Sequence, residues 1–226
     1  MLIHLPRLLT QDQLAQCRVL LAESAWLDGR VTAGPQAAAA KHNSQLAETD
    51  PVARALGDLV IRALERHPLF LSATLAKQVY PPLFNRYEAG QSFGFHVDNA
   101  MRSVPGQPVR LRCDVSATLF LSEPDSYDGG ELIVEDSYGA HRAKLPAGDL
   151  VLYPAGSLHR VTEVTRGVRL AAVFWVQSLV KDDGERTLLH ELDGAIQALG
   201  ADAAGHPALV RLTQAYHNLL RRWAEP

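Results

Sequence analysis

The sequence predicts an α+β protein in which a mainly β core is flanked by helices at both ends. Two features predict this fold. Between residues 72 and 180, short apolar segments are separated by turn sequences, and a turn about every 8–12 residues is typical of an antiparallel sandwich or barrel. Outside that region, apolar residues recur at helical spacing. With 226 residues, 47% of them hydrophobic, the chain can bury one substantial core.

Two helices are predicted before the core. Thr10 and Gln13 have the spacing of a capping box and predict a helix over 11–24. Asp50 followed by proline suits an N-cap and first helical position, which predicts a helix over 51–66. The segment between them reads as a loop. Its alternating polar residues Lys41, Asn43 and Gln45 suit a strand or loop that folds over a site, with a structural role favoured over substrate contact.

The core and the C-terminal region are distinguished by their apolar spacing. Residues 113–121 alternate as a half-buried strand does, and Gly-containing turns divide the following segments. After residue 181 the pattern becomes helical, and Gly200 suits the end of a helix. We therefore expect one domain over 1–180, with its β core at 72–180, and a two-helix extension over 182–226 that packs on this domain or forms a homo-oligomer.

Composition excludes several classes of function. The net charge of −3 gives no bulk attraction for nucleic acid. No window of 18 uninterrupted apolar residues predicts a membrane span, and the first residues do not have the pattern of a secretion leader. Cys17 and Cys113 have no CxxC spacing, so a disulfide framework is not expected and a reducing cytoplasm fits best.

The stretch QSFGFHVDNAM contains the most informative residues. His96 and Asp98 are two apart, and residues i and i+2 of a strand project from the same face. A metal needs a third ligand. His159 follows GDLVLYPAGSL, a strand and tight turn that would direct its side chain inward, whereas His141 lies in a polar stretch and is expected at the surface.

Two histidines and one carboxylate on a β scaffold are the ligands of non-haem iron(II) oxygenases, which keep three coordination positions open. Zinc would accept the same ligands in a hydrolase. Arg169 favours iron. It lies ten residues after His159 in an apolar strand, and a buried guanidinium needs an anionic partner. A dicarboxylate co-substrate supplies one, because one end can chelate iron while the other binds arginine.

The segments RYEAGQSFGFHVDNA, YDGGEL and YPAGSLHRVTEVTRGVRLAAVFW resemble the iron(II)/2-oxoglutarate dioxygenases of the prolyl-4-hydroxylase type, and more closely the bacterial PKHD-type hydroxylases. The resemblance implies a double-stranded β-helix (jelly-roll) core. It implies His96, Asp98 and His159 as catalytic iron ligands and Arg169 as the 2-oxoglutarate ligand. It also places Tyr87 either beside the co-substrate or as a core aromatic residue. Fe(II), 2-oxoglutarate, dioxygen and the reductant ascorbate are the implied cofactors and co-substrates, with release of succinate and CO2.

Other interpretations stay open at this point. A jelly-roll metal protein could act as an iron or 2-oxoglutarate sensor, or as a cupin-like protein without oxygenase turnover. The polar loop 99–111 is a candidate lid because it follows the metal pair directly. Arg112 and Asp114 are expected to form a structural ion pair. The resemblance suggests a role in iron supply, but the substrate is not identified by the sequence.

Overall fold

The computed structural model describes residues 1–32 and 34–225. Its helices are α1 (Gln11–Ala22), α2 (Pro35–Ala40), α3 (Pro51–Leu64), α4 (Pro68–Thr74), α5 (Asp183–Asp202) and α6 (Ala208–Trp223). The Thr10 side chain caps α1 and Asp50 caps α3, and each helix is two residues shorter at its C-terminal end than predicted. Helices α2 and α4 were not predicted, and α5 continues through Gly200 instead of ending there. None of the helices in the described residues is long and apolar enough to cross a membrane.

The strands of the described residues are short and fill the region between α4 and α5, with a few before it. They are β1 (Ile3–Leu5), β2 (Leu27–Asp28), β3 (Lys41–His42), β4 (Ser44–Gln45), β5 (Ala76–Val79), β6 (Leu83–Tyr87), β7 (Ser92–His96), β8 (Met101–Ser103), β9 (Arg110–Arg112), β10 (Val115–Phe120), β11 (Tyr127–Gly129), β12 (Leu132–Asp136), β13 (Gly139–Ala143), β14 (Leu150–Pro154), β15 (His159–Val161), β16 (Val164–Gly167) and β17 (Arg169–Ser178).

Two antiparallel sheets make up the core. Across the described residues, the larger sheet has the order β1-β14-β10-β17-β6-β4-β2, with β5 paired to β17, and the smaller has the order β13-β12-β15-β7-β3. Two further pairs, β11 with β16 and β8 with β9, complete the pattern. This arrangement confirms the predicted mainly β jelly-roll core with flanking helices.

Strand alternation divides the larger sheet into a packing face and a site face. On β10, Val115, Ala117 and Leu119 belong to the hydrophobic core that the sheet shares with α1, α3 and α4. The intervening side chains of β10 point the other way, and Ser116 and Thr118 line a cavity between the sheets. Because successive strand residues face opposite sides, one run of buried residues supplies both the helix-packing core and the wall of the cavity.

The C-terminal extension is attached to the β core by polar contacts at its first turn. Arg186 is 2% exposed, and its Nη1 donates hydrogen bonds of 2.8 Å to the carbonyl oxygens of Val180 and Lys181. Its Nη2 donates to Asp183 at 3.0 Å, and the N-terminal ammonium of Met1 lies 2.7 Å from the same carboxylate. These contacts join the first residue of the chain to the first turn of α5 and hold that turn against the end of the β core.

The segment 99–111, which the sequence analysis treats as a loop, contains the hairpin of β8 and β9. Val104 and Leu111 are buried in the same cluster as Trp175, so the hairpin is packed on the larger sheet. The ion pair expected beside it is present, with Arg112 Nε 2.7 Å from the Asp114 carboxylate.

Candidate metal and co-substrate site

The three predicted ligand side chains meet where the end of β7 pairs with the start of β15, a place called the ligand edge below. His96 ends β7 and His159 begins β15, and the antiparallel pairing places these two residues opposite each other. Asp98 follows two residues after His96, and its Oδ2 lies 3.7 Å from His159 Nε2. One nitrogen or oxygen from each of the three side chains lies within 4.8 Å of the others. That spacing fits three ligands of one metal ion.

Backbone carbonyls orient both imidazoles. His96 Nδ1 is 2.8 Å from the Gly94 oxygen, and His159 Nδ1 is 3.0 Å from the Ser157 oxygen. A carbonyl oxygen can only accept, so Nδ1 carries the proton in each ring and Nε2 keeps its lone pair. Such contacts fix the tautomer and the ring orientation that a metal ligand needs.

The surroundings of His96 and Asp98 suit metal ligands. Burial, and then the neighbouring His159, lower the pKa of His96 to about 4, so this imidazole is neutral at physiological pH. The ring of Phe93 stacks on His96 with 3.5 Å between ring centroids. Ser116 Oγ donates a 2.5 Å hydrogen bond to Asp98 Oδ2, which holds the carboxylate from the larger sheet.

Arg169 is a buried cation with unused hydrogen-bond donors. It begins β17, is 1% exposed, and pairs in register with Tyr87 of β6. Its guanidinium carbon lies 5.2 Å from the Tyr87 ring centroid and 5.4 Å from that of Phe120. Among the described residues, neither Nε nor Nη2 has a hydrogen-bond partner. Leaving such a charge unpaired is costly, so the donors fit an anion supplied from outside the chain.

Tyr127 is a buried neighbour of Arg169 that the sequence analysis did not single out. Its Oη is buried and has no hydrogen-bond partner within the part of the chain that the structure describes. Burial raises the pKa of Tyr127, while the nearby Arg169 acts in the opposite direction. Tyr127 is the first residue of YDGGEL, the segment that sharpened the family resemblance. That resemblance was the available signal for it.

Gly130 explains how this segment comes so close to Arg169. Its φ is +63°, and a Cβ at this position would lie 3.0 Å from Arg169 Cδ and 2.9 Å from a ring carbon of Tyr127. Glycine suits both the positive φ and the absence of space. The second glycine of the Gly-Gly turn therefore lets the chain pass directly over the buried guanidinium.

Tyr87 lies at the same end of the cavity. It is 3% exposed, and burial raises its pKa to about 12, so the phenol is protonated. Its position agrees with both interpretations in the sequence analysis, a core aromatic residue and a co-substrate neighbour. His141, in contrast, lies at the exposed surface, where it contacts Asp136 at 2.7 Å, and it is not among the described residues that line the cavity.

A cavity of about 80 Å³ joins the three ligand side chains to Arg169 and Tyr87. Besides the ligand triad, Arg169, Tyr87 and Ser116, its walls include Lys41, Gln45, Arg102 and Trp175. The first two of these four lie in the segment where the sequence analysis weighed a substrate contact. Arg102 was not predicted, because it reaches the cavity only through the packing of the β8–β9 hairpin.

Comparison with known proteins agrees with this fold and site. Residues 82–177 match the 2OG-Fe(II) oxygenase superfamily, and residues 183–225 match the PKHD-type hydroxylase C-terminal domain. The structure resembles a Pseudomonas putida prolyl-4-hydroxylase with a TM-score of 0.54 and 23% identity, covering 78% of this chain and 92% of the other. The fold, the donor set and the matched model together define an iron(II)- and 2-oxoglutarate-dependent dioxygenase.

Full-length relatives identify the family within that class. A PKHD-type hydroxylase of Burkholderia lata is 62% identical over 226 residues, which is 100% of both chains. Another, from Methylobacillus flagellatus, is 58% identical over the same full length. The chain belongs to the PKHD-type hydroxylases. The enzyme class expected from the sequence is thereby confirmed, and its substrate is not identified by the relatives' names.

Proposed function

We propose that His96, Asp98 and His159 hold Fe(II), and that Arg169 binds the distal carboxylate of 2-oxoglutarate during hydroxylation of the substrate. The donor set supports this assignment, because two imidazoles and one carboxylate leave half of an octahedral coordination sphere open. The single observation that carries the proposal is the buried guanidinium with unused donors in the same cavity as the triad. When bound, ferrous iron supplies dioxygen activation coupled to decarboxylation of 2-oxoglutarate to succinate and CO2.

The protein's own part in the reaction is to hold and orient. The carbonyls of Gly94 and Ser157 keep both Nε2 atoms available, and Ser116 holds the Asp98 carboxylate through Oδ2. The guanidinium of Arg169 is positioned for a two-bond fork on a carboxylate, the geometry that arginine favours. Its aromatic and apolar surroundings exclude water, which strengthens an ion pair formed there.

We further propose that Tyr127 donates its phenolic proton to the same distal carboxylate. The unpartnered buried hydroxyl beside Arg169 supports this role. Tyr127→Phe removes only the oxygen, so we expect the affinity for 2-oxoglutarate to fall roughly tenfold, the loss of one hydrogen bond to a charged group. Equal affinities in the two proteins would show that Tyr127 fills space only.

Spectroscopy under anaerobic conditions tests the metal assignment. Fe(II) followed by 2-oxoglutarate should produce a visible charge-transfer band, and His159→Ala should abolish it. His141→Ala is the matched control, because this histidine is exposed and outside the cavity. Persistence of the band in His159→Ala would refute the ligand set, and turnover supported equally well by Zn(II) would argue against oxygenase chemistry.

A sensor or cupin-like protein would bind the same ligands without turning them over. Iron-dependent release of succinate separates the two, since a sensor forms the charge-transfer complex but produces no succinate in air. The enzyme assignment predicts succinate formation that follows the consumption of 2-oxoglutarate with equal stoichiometry.

Ascorbate and the cellular setting belong to the same proposal. We infer that ascorbate serves as reductant by keeping iron ferrous, and its omission should shorten the period of linear succinate formation. A cytoplasmic location is supported by Cys17 and Cys113, both free and buried. Recovery of the protein from the periplasmic or membrane fraction of the cell would contradict it.

A homo-oligomer formed through α5 and α6 is a further prediction. Its support is that the apolar positions of α6 are at most half-buried in the single chain. Removal of residues 182–226 should lower the number of subunits measured by light scattering if these helices join copies. An unchanged number of subunits in a folded variant would exclude that role.

A further inference from the structure

The cavity contains a second cationic group that the 2-oxoglutarate site does not use. We propose that the substrate carries an anionic oxygen group, a carboxylate or a phosphate, which binds Lys41 and Arg102 while the carbon to be hydroxylated faces the metal triad. This inference rests on the proposed function, because it takes the triad and Arg169 as the iron and co-substrate sites.

Lys41 is a buried amine without an acidic partner. It is 6% exposed, and its Nζ donates to Thr32 Oγ1 at 3.1 Å and to Gln45 Oε1 at 3.0 Å. Both acceptors are neutral, and no carboxylate of the described residues lies within ion-pair distance. An ammonium group has three donors, so one N–H is left for a ligand.

Lys41 also lies close to the ligand edge formed by β7 and β15. Its Nζ lies 5.5 Å from the ring centroid of Phe93, and that ring stacks on His96. The strand that begins at Lys41, β3, pairs with β7, which carries Phe93 and His96. The amine is thus held at a fixed position relative to the ligand edge, as a group that positions a substrate must be.

Arg102 reaches the same cavity from the β8–β9 hairpin. Its guanidinium carbon lies 4.0 Å from the Trp175 ring centroid and 4.9 Å from that of Tyr80. The nearby Glu48 accepts the Tyr80 hydroxyl at 2.9 Å and forms no ion pair with Arg102. Within the described residues, the buried Nε of Arg102 has no partner. Stacking holds the guanidinium plane and leaves its N–H edge available to an anion.

The two cations affect each other across the cavity. Burial lowers the pKa of Lys41 to about 8, and the next largest contribution is repulsion from Arg102. Gln45 adds a third donor, because its buried Nε2 is unpartnered among the described residues. Two repelling cations and an amide N–H around one space form a group of donors that suits oxygen acceptors carrying negative charge.

The charges of the proposed reaction complex leave this group unmatched. The two carboxylates of 2-oxoglutarate and the Asp98 carboxylate carry three negative charges, which equal the charges of Fe(II) and Arg169. Lys41 and Arg102 therefore gain no counter-charge when iron and co-substrate bind. An anionic group on the substrate supplies this counter-charge. A carboxylate would balance one of the two cations, and a doubly charged phosphate would balance both.

Ligand-observed NMR on the protein loaded with Zn(II) and 2-oxoglutarate tests the inference. The probes are N-acetyl-L-alanine with its neutral amide, and glycerol 3-phosphate with glycerol. We expect at least one anionic probe to bind about tenfold or more tightly than its neutral counterpart. We expect Lys41→Met and Arg102→Met each to remove that preference, and Arg102→Lys to restore part of it. The probe that binds shows whether the anionic group of the substrate is a carboxylate or a phosphate.

The control is Lys181→Met, the same substitution at an exposed lysine outside the cavity, which should bind the probes as the unsubstituted protein does. The anaerobic charge-transfer band with Fe(II) and 2-oxoglutarate, together with a thermal melt, shows whether each variant is folded and loaded.

Equal binding of anionic and neutral probes, or no binding of either anion, would overturn the inference. So would a Lys41→Met variant that weakens 2-oxoglutarate binding as much as Arg169→Met does, because the amine would then belong to the co-substrate site. Absence of the band in the unsubstituted protein would instead overturn the proposed function.

Discussion

Replacing Arg169 by methionine should change co-substrate binding and protein stability in opposite directions. Methionine keeps an unbranched apolar stem but removes the guanidinium, whose Nε and Nη2 have no partner among the described residues. Removing one partner of a buried charge pair costs about 2–5 kcal/mol of binding, which weakens 2-oxoglutarate affinity by about 30-fold to several thousand-fold. Without co-substrate, the variant no longer buries an unpaired charge and should be as stable as the parent, or more stable by about 1–3 kcal/mol.

Two assays measure the two effects separately. Titration of the anaerobic Fe(II) protein with 2-oxoglutarate, followed by its charge-transfer band, gives the affinity. Urea unfolding of the metal-free protein gives its stability, and urea unfolding of the metal-loaded protein with and without 2-oxoglutarate gives the stabilisation by co-substrate. For the parent loaded with metal, 2-oxoglutarate at a hundred times its Kd should add about 2.7 kcal/mol to the free energy of unfolding. The same concentration should add less than about 1 kcal/mol to the variant at a 30-fold loss of affinity, and almost nothing at a loss of several thousand-fold.

A variant that binds 2-oxoglutarate within threefold of the parent would refute the assignment of Arg169 to the distal carboxylate. A metal-free variant destabilised by several kcal/mol would refute a different step, the inference that the guanidinium is uncompensated in the absence of ligand. Arg142→Met is a suitable control, because this arginine is exposed and pairs with Glu131 at the surface. It should change neither quantity by more than about 0.5 kcal/mol.

Three further predictions concern the groups around the site. Ser116→Ala should weaken Fe(II) affinity by about 10- to 100-fold, measured by competition with a chelator, because it removes the hydrogen bond to Asp98; unchanged affinity would contradict this. Gly130→Ala should lower the free energy of unfolding by about 1–3 kcal/mol, since φ is positive and the added methyl meets Arg169; a stability equal to the parent's would argue against a tight passage over the guanidinium. Leu119→Ala, on the helix-packing face, should cost about 2–5 kcal/mol in urea unfolding while leaving 2-oxoglutarate affinity of the folded fraction unchanged; a loss of affinity instead would show that the two faces of β10 are coupled.

Local sequence pattern was sufficient to single out His96 and Asp98 as a pair, because strand geometry is local. The i, i+2 rule places residues two apart on one side of an extended segment, although β7 itself ends at His96 and Asp98 follows it. The pairing that puts His159 opposite His96 depends on register between distant segments, and the sequence could indicate it only through the turn before His159 and the family resemblance. The position of Arg169 followed from the same two signals.

The second cationic group was not predicted as a group, because tertiary packing creates it. The sequence analysis weighed a substrate contact for Lys41 and its neighbours and favoured a structural role there. Lys41 belongs to a segment whose composition reads as a loop, and it becomes part of the site only because β3 pairs with β7. Arg102 lies in a polar stretch whose turn signals predict no strand. The hairpin forms because Val104 and Leu111 bury themselves against the larger sheet. Neither the β3–β7 pairing nor the packing of the hairpin can be predicted from a local stretch of about a dozen residues.

Helix ends show the same limit at a smaller scale. The caps Thr10 and Asp50 are local hydrogen bonds, and both helices begin where they indicate. Gly200 is a weaker signal, because glycine in a helix interior costs only about 1 kcal/mol. In the structure α5 continues two residues beyond Gly200, to Asp202, and Leu209 of α6 lies beside this glycine. A local preference decides a helix end only where tertiary contacts do not outweigh it.

The division of the larger sheet into two faces explains why this site tolerates a concentration of charge inside a β core. Ser116 and Thr118 face the cavity, while their neighbours on β10 are packed against the helices. A strand whose alternate residues are anchored in a hydrophobic core cannot rotate to carry its polar face to water without exposing the apolar one. The stability of the helix-packed face therefore holds the buried guanidinium and the ligand edge in place before any ligand binds, so that binding energy is not spent on assembling the site.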